Sequence, residues 1–326
     1  MAGAGSDPDA GGGPIVVTGA SGFIGAALCA AFARERRPHV GWVRDAAAAR
    51  RVASLRAMGD LADVGEEALA DALSGARAVV HAAGRAHVPS SSDADRARLA
   101  RDNVQATRRL AAMARRAGVA RFVHLSSIKV NGDASVPQRP LRPGDAPSPR
   151  DAYARSKLEA EEALTRALRG SSVAMTILRL PMVYGPGARG NFAALVDAVA
   201  ARRWMPLAAI DNQRRLLSLT NLVDAVRAAL DAPTPITGVH FVGDATVVST
   251  PQLVHAVAVA LGERPRLGHV PVPLLRLAGA VTRRSAAVDR LTQSLDFDIG
   301  SFTSASGWSP GAFALDPAAV GRVPRP

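Results

Sequence analysis

Tyrosine and lysine are almost absent from this sequence. Its 326 residues hold two of each, Tyr153 and Tyr184, Lys129 and Lys157, and arginine supplies nearly all of the positive charge. Cysteine is scarcer still. Cys29 stands alone, which excludes an internal disulfide, and its place on a helix reads as a small apolar packing residue. Aromatic residues make up 4% and form no platform among the basic ones, so the net charge of +12 does not read as a nucleic-acid surface. A solvated arginine surface and an anionic small substrate account for it better. The seven histidines show no ligand spacing with one another or with Cys29, so no metal is expected. Long apolar runs are missing too: "VPVPLLRLAGAV" near the C-terminus is too short to span a bilayer and contains Arg276. The first 13 residues have neither the basic start nor the apolar stretch of a signal peptide and read as a flexible tail. A cytoplasmic protein without a membrane span is expected.

What is present describes a globular chain. Apolar residues make up 48%, charged ones 21%, and the mean hydropathy is +0.08, enough to bury a substantial core. The length exceeds a usual single core, so one large or two associated domains are expected. Short β-branched runs, 14–19, 39–43, 76–83, 121–126 and 175–180, alternate with helical stretches at 23–35, 65–73, about 93–118 and 151–170. That alternation predicts an α/β fold: a Rossmann-like, doubly wound parallel sheet. After Pro181 proline and glycine recur among short elements. The expected organisation is therefore a dinucleotide-binding domain over 14–180, with a return segment near 214–245. Residues 181–213 and 246–326 would form a smaller mixed α/β substrate lobe.

"VVTGASGFIGAAL" places Gly19, Gly22 and Gly25 between a predicted strand and a predicted helix. Gly19 permits a turn with positive φ. Gly22 permits backbone approach to a pyrophosphate, and Gly25 permits close packing of helix on sheet. The phosphates would then meet free amides at the helix N-terminus, with Ser21, Phe23 and Ile24 lining the same loop. The second strand reads "HVGWVRD". If it ends at Val43, Arg44 meets a ribose 2′-phosphate and NADP is preferred; if it runs one residue further, Asp45 takes the ribose and NAD is preferred. The earlier position of Arg44 favours NADPH.

"DAYARSK" puts Tyr153 and Lys157 four apart on one helix face. A free tyrosine titrates near pH 10, so acid–base work near neutrality needs a neighbouring cation such as Lys157. With two tyrosines and two lysines in the chain, chance produces such a pair in roughly one sequence per hundred. Ser126 and Ser127, at the end of a strand, supply candidate hydroxyls beside this pair.

The Gly-x-x-Gly-x-x-Gly loop and Tyr-x-x-x-Lys together resemble the extended branch of the short-chain dehydrogenase/reductase superfamily, the NAD-dependent epimerase/dehydratase family. The resemblance covers nearly everything from Pro14 to Pro310, ending on Gly307-Trp308-Ser309-Pro310. It implies that Ser127, Tyr153 and Lys157 are catalytic, with Tyr153 and Lys157 also touching the cofactor. It implies cofactor contacts at Asp60, Leu61, Ala82 and Ala83, and a structural role for Asn103. Substrate contacts would come from Ser126, Ser127, Asn191 and Arg214, with Arg215 one residue away from the phosphate-binding position.

Two departures stand out. Lys129 replaces a common threonine and Asn131 a common tyrosine, and Ile128-Lys129 stands where dehydratases carry an acid pair. The overall pattern resembles bacterial enzymes of surface-polysaccharide synthesis acting on UDP-linked N-acetylhexoses. The first reading is reduction of a 4-keto-6-deoxy UDP-N-acetylhexosamine at C4. The alternative is a UDP-sugar 4-epimerase with bound NAD. A dinucleotide-sensing regulator is the alternative of another class, against which the intact Ser–Tyr–Lys set argues. A homodimer through the two long helices is also implied.

Overall fold

The computed structural model describes residues 12–50, 52–86, 92–136 and 138–321. Residues 1–11 of the expected tail lie outside them. Ile15 to Thr18 form β1, buried along its whole length. There follow α1 (Phe23–Arg34), β2 (His39–Val43), α2 (Ala46–Ala49), β3 (Leu55–Ala57), α3 (Glu66–Leu73) and β4 (Ala78–His81). The alternation continues through α4 (Asp93–Leu99), α5 (Ala106–Arg116), β5 (Arg121–Ser127), α6 (Ala152–Leu168) and β6 (Ala174–Leu180). β3 escaped the sequence pattern because its three residues form no apolar run and two of them are exposed.

Beyond Pro181 most strands shrink to two residues. β7 (Val183–Tyr184) and α7 (Asn191–Ala200) come first, then β8 (Arg214–Arg215), β9 (Leu217–Ser218) and α8 (Leu219–Asp231). β10 (Gly238–Phe241) is longer, and β11 (Val247–Val248), α9 (Thr250–Ala260), α10 (Val272–Val281), α11 (Ser285–Thr292) and α12 (Gly300–Ser306) close the fold.

Seven strands join in the order β10-β6-β5-β4-β1-β2-β3. Every pairing in this sheet is parallel. A parallel sheet must be covered on both faces. On one face α1 and α8 contribute Leu28, Phe32, Leu222 and Val226 to a buried cluster. On the other, α3, α5 and α6 contribute Leu69, Leu110 and Leu164. Each such side chain contributes about 1.5–3 kcal/mol by leaving water. The segment 214–245 returns to this body through α8 and β10. A third cluster joins Tyr184, Phe192, Val254 and Val257 from α7, α9 and β7.

The long helix expected over 93–118 runs continuously from Asp93 to Arg116 but changes pitch within it. Between α4 and α5, Ala100–Gln105 is π-helical, and it carries Asp102 and Asn103 inward. The buried polar partners of Asn103 account for the wider turn: its Oδ1 accepts from Arg85 N at 2.7 Å and its Nδ2 donates to Ser156 Oγ at 2.9 Å. Such turns cluster at functional sites.

Candidate active site

The C-terminal ends of β1, β2 and β4 frame a cleft of about 510 Å³. Gly19 leaves β1 with φ +69°, and a Cβ there would lie 2.8 Å from Ala83 Cα. A Cβ on Gly25 would lie 2.3 Å from Gly19 O, so α1 sits on the turn itself. No side chain caps α1 at Gly22, which leaves first-turn amides beside the cleft without a side-chain acceptor. Both results fit the cradle for a dinucleotide pyrophosphate.

Of the expected cofactor residues, Gly19, Ser21, Gly22, Arg44, Asp60, Leu61, Ala82 and Ala83 line this cleft. Phe23 and Ile24 are half-buried at the start of α1. β2 ends at Val43, so Arg44 is the first residue beyond it. Arg44 is 65% exposed and stands 3.9 Å from Asp60. Asp45 is turned to the N-terminus of α2, where its side chain accepts from Ala47 N at 2.7 Å.

Ser127, Tyr153 and Lys157 do not line this cleft, but Lys157 adjoins it at Gly84. Ser127 closes β5, and Tyr153 and Lys157 lie one turn apart on α6. Asp151 caps α6, accepting from Ala154 N at 2.7 Å. Lys157 Nζ donates to Leu125 O at 2.9 Å. It lies at Gly84, where a Cβ would be 3.3 Å from the ammonium. Burial pushes the Tyr153 phenol up to about 12; the Ser127 hydroxyl beside it opposes this and the Asp151 charge adds to it. Burial draws Lys157 down to about 8, with Glu161 working the other way. The lysine remains cationic at neutral pH, and the phenol remains protonated.

The Ser126 hydroxyl, expected on the substrate side, is engaged elsewhere in the structure. Successive strand residues face opposite sides of a sheet, and the Ser126 hydroxyl donates to the buried carboxylate of Glu161. Arg179 Nε meets both oxygens of that carboxylate at 3.0 and 3.2 Å, and its Nη1 donates to Asn131 Oδ1 at 2.6 Å. Asn131 therefore supports the buried pair. Lys129, the other departure, pairs with Asp151 and lies 3.5 Å from Asp133.

Asn191 is exposed at the start of α7. The Arg214 guanidinium donates to Arg290 O at 2.8 Å and Gln293 O at 3.2 Å. Arg215 lines a second cleft of about 290 Å³ with Arg142 and Phe297, paired to Asp296 at 2.8 Å.

The sequence reading missed two networks. Thr18 Oγ1 meets His81 Nδ1 at 2.7 Å, and His81 Nε2 meets Thr107 Oγ1 at 2.9 Å. Burial, with the Lys157 charge, lowers His81 to about 3, so this link between β1, β4 and α5 stays neutral. Glu161 lies four residues beyond Lys157, a spacing that marks it on the same helix face.

Comparison with known proteins places this geometry. The profile of the NAD dependent epimerase/dehydratase family matches residues 15–242. A UDP-glucose 4-epimerase of Vibrio cholerae is 38% identical over 234 residues, 71% of each chain. The solved structure of MoeE5 in complex with UDP-glucose and NAD superposes with a TM-score of 0.73. It is 26% identical, over 95% of this chain and 96% of that one. A UDP-glucuronic acid 4-epimerase from Bacillus cereus, in complex with NAD, shares the fold with a TM-score of 0.74 at 19% identity. The match covers 94% of this chain and 96% of the other.

Proposed function

This chain belongs to the NAD-dependent epimerase/dehydratase family, and from that premise we propose that it is a UDP-sugar 4-epimerase working with a retained NAD. The observation that carries this reading is that Tyr153 lies beside Ser127 and shares a helix face with Lys157, whose ammonium adjoins the cleft at Gly84. The likeness to a UDP-glucose 4-epimerase supports this alternative over the reduction to which the sequence reading leaned.

In this proposal NAD, when bound, supplies the acceptor and donor of hydride at the sugar C4. With NAD bound, the Tyr153 phenolate is favoured by Lys157 and the nicotinamide cation, and it takes the proton of the C4 hydroxyl as that carbon is oxidised and returns it when the opposite face is reduced. Lys157 stabilises the phenolate electrostatically. Ser127 hydrogen-bonds the same sugar oxygen and aligns it. Gly19, Ser21, Gly22, Phe23, Ile24 and Gly25 hold the pyrophosphate, and Asp60, Leu61, Ala82 and Ala83 line the remainder of the dinucleotide. Residues 181–213 and the described part of the C-terminal segment, 246–321, form the substrate side, with Asn191 there and Arg214 beside it toward the UDP phosphates. A homodimer through the exposed faces of α5 and α6 belongs to the same reading.

The test uses purified protein without added cofactor. UDP-glucose and UDP-N-acetylglucosamine are supplied in parallel and C4 stereochemistry is followed. Appearance of the C4 epimer without net nicotinamide oxidation is the expected result. Stoichiometric NADPH oxidation on a 4-keto sugar, without epimerisation, would overturn it.

One observation keeps the reductase as a second reading. β2 ends at Val43, so Arg44 is the first residue beyond it, a position from which an arginine can meet a 2′-phosphate. If so, Arg44→Ala weakens NADP binding about tenfold and leaves NAD binding unchanged, one charge-assisted contact being removed.

A further inference from the structure

The helix α10 carries two apolar faces, and one of them is uncovered. Val272 and Leu275 pack against the cluster formed by α7, α9 and β7. Gly279 is buried against α11, where a Cβ would come within 2.7 Å of Val288 Cγ2. Leu274, Leu277 and Val281 follow i, i+3, i+7 spacing on the opposite side. They are 56%, 62% and 77% exposed. Leu291 on α11 is also exposed, so this hairpin holds half of the exposed large hydrophobic side chains among the described residues.

Charge around the stripe has one sign. Residues 264–290 include six arginines and a single acid, Asp289. Arg276, Arg283, Arg284 and Arg290 are exposed, and none of them has a carboxylate partner among the described residues. Pairing of exposed arginines occurs elsewhere, as between Arg116 and Glu67 and between Arg202 and Glu263.

We propose that the α10–α11 hairpin is a peripheral docking surface for an anionic phospholipid membrane. An uncovered apolar helix face settles into the acyl boundary while flanking arginines meet lipid phosphates. α10 has ten residues, so it lies along the surface and does not cross it. Charge complementarity selects this occupant. A two-fold contact with a second copy would set the same arginines against one another. Nucleic acid would leave the leucines unused. The proposal does not depend on the reaction assigned above.

The experiment is co-sedimentation of the full chain with vesicles of phosphatidylcholine alone and of phosphatidylcholine mixed with phosphatidylglycerol. At low salt the mixed vesicles should bind about tenfold more protein, and added salt should release part of it. Leu277→Glu should lower binding about tenfold. The paired variant Arg283→Gln with Arg284→Gln should remove most of the preference for the anionic vesicles. Both variants should keep the parental unfolding midpoint, since all three side chains are exposed. Equal binding to both vesicle types would overturn the proposal, as would binding that neither variant changes. Light scattering that shows Leu277→Glu dissociating a dimer, with no vesicle binding by the parent, would instead assign the stripe to self-association.

Discussion

The chain's two tyrosines occupy regions built on opposite plans. Tyr184 is 1% exposed, and its hydroxyl donates to Asp244 Oδ2 at 2.8 Å. Asp244 also accepts from Ser218 N at 2.9 Å and from Asn221 Nδ2 at 2.6 Å. Phe192 and Phe313 flank the ring at 5.9 and 5.2 Å. That region is saturated, as a buried polar group requires. Tyr153 is half-buried beside Ser127. Tyr184 is enclosed by its own partners, whereas Tyr153, to which we assign the proton transfer, keeps part of its surface exposed. Scarcity in the sequence marked both residues equally; only their surroundings separate them.

The sharpest way to break the comparison is to remove each hydroxyl. Tyr153→Phe should lower turnover about 10²–10⁴-fold and leave the urea midpoint near the parental value. Tyr184→Phe should cost about 1–3 kcal/mol of stability by depriving Asp244 of a donor, with turnover of the folded enzyme nearly unchanged. Equal effects of both substitutions on both quantities would abolish the distinction.

The network behind the open tyrosine should resemble the saturated region in its response. Glu161 and Arg179 are each 4% exposed and joined through Arg179 Nε. Glu161→Ala strands a buried guanidinium and should cost about 3–5 kcal/mol, read as a lower denaturation midpoint. Replacing both residues by methionine should recover most of that loss. If the single variant is as stable as the parent, the pair is not the anchor of α6 on β6.

On the substrate side, Arg214→Ala should raise KM for the UDP-sugar about tenfold and leave cofactor affinity unchanged, as loss of a charge-assisted phosphate contact predicts. Arg215→Ala is the comparison, because its side chain faces the second cleft. A larger effect there would move the phosphate contact by one residue. Parental KM in both variants would detach the second lobe from the substrate.

Legibility in the sequence follows the range of the forces involved. The glycine turn is decided by local sterics, so Gly19 and Gly25 could be assigned roles from a dozen residues. Tyr153 and Lys157 needed only helical spacing. Ser126 shares Glu161 with Arg179 because β5 pairs with β6 so that Ser126 stands opposite Arg179, and no spacing within either strand reveals that. The π-helical turn depends on Arg85 and Ser156, remote in sequence from Asn103. The carbonyl partners of Arg214, at Arg290 and Gln293, belong to a helical hairpin distant in sequence and are not legible from its own segment.

The smallest expected effect is a spectroscopic one. Burial raises both phenols, Tyr153 to about 12 and Tyr184 further, the Asp244 charge adding to its shift. A phenol raised in the folded state favours folding below its unfolded value near 10 and loses that contribution as pH rises toward the folded value. Tyr153 should therefore weaken the fold between about pH 10 and 12, and Tyr153→Phe should flatten that slope. Lys157 has the opposite sign: drawn down to about 8, it makes stability rise between about pH 8 and its unfolded value near 10.4. Phenolate absorbance near 295 nm separates the tyrosines. Added NAD brings a nicotinamide cation near Tyr153 and should lower the apparent titration of one tyrosine only. Tyr153→Phe should remove the shifted component and Tyr184→Phe should retain it. A NAD-dependent shift that survives in Tyr153→Phe would assign the open site to the wrong tyrosine.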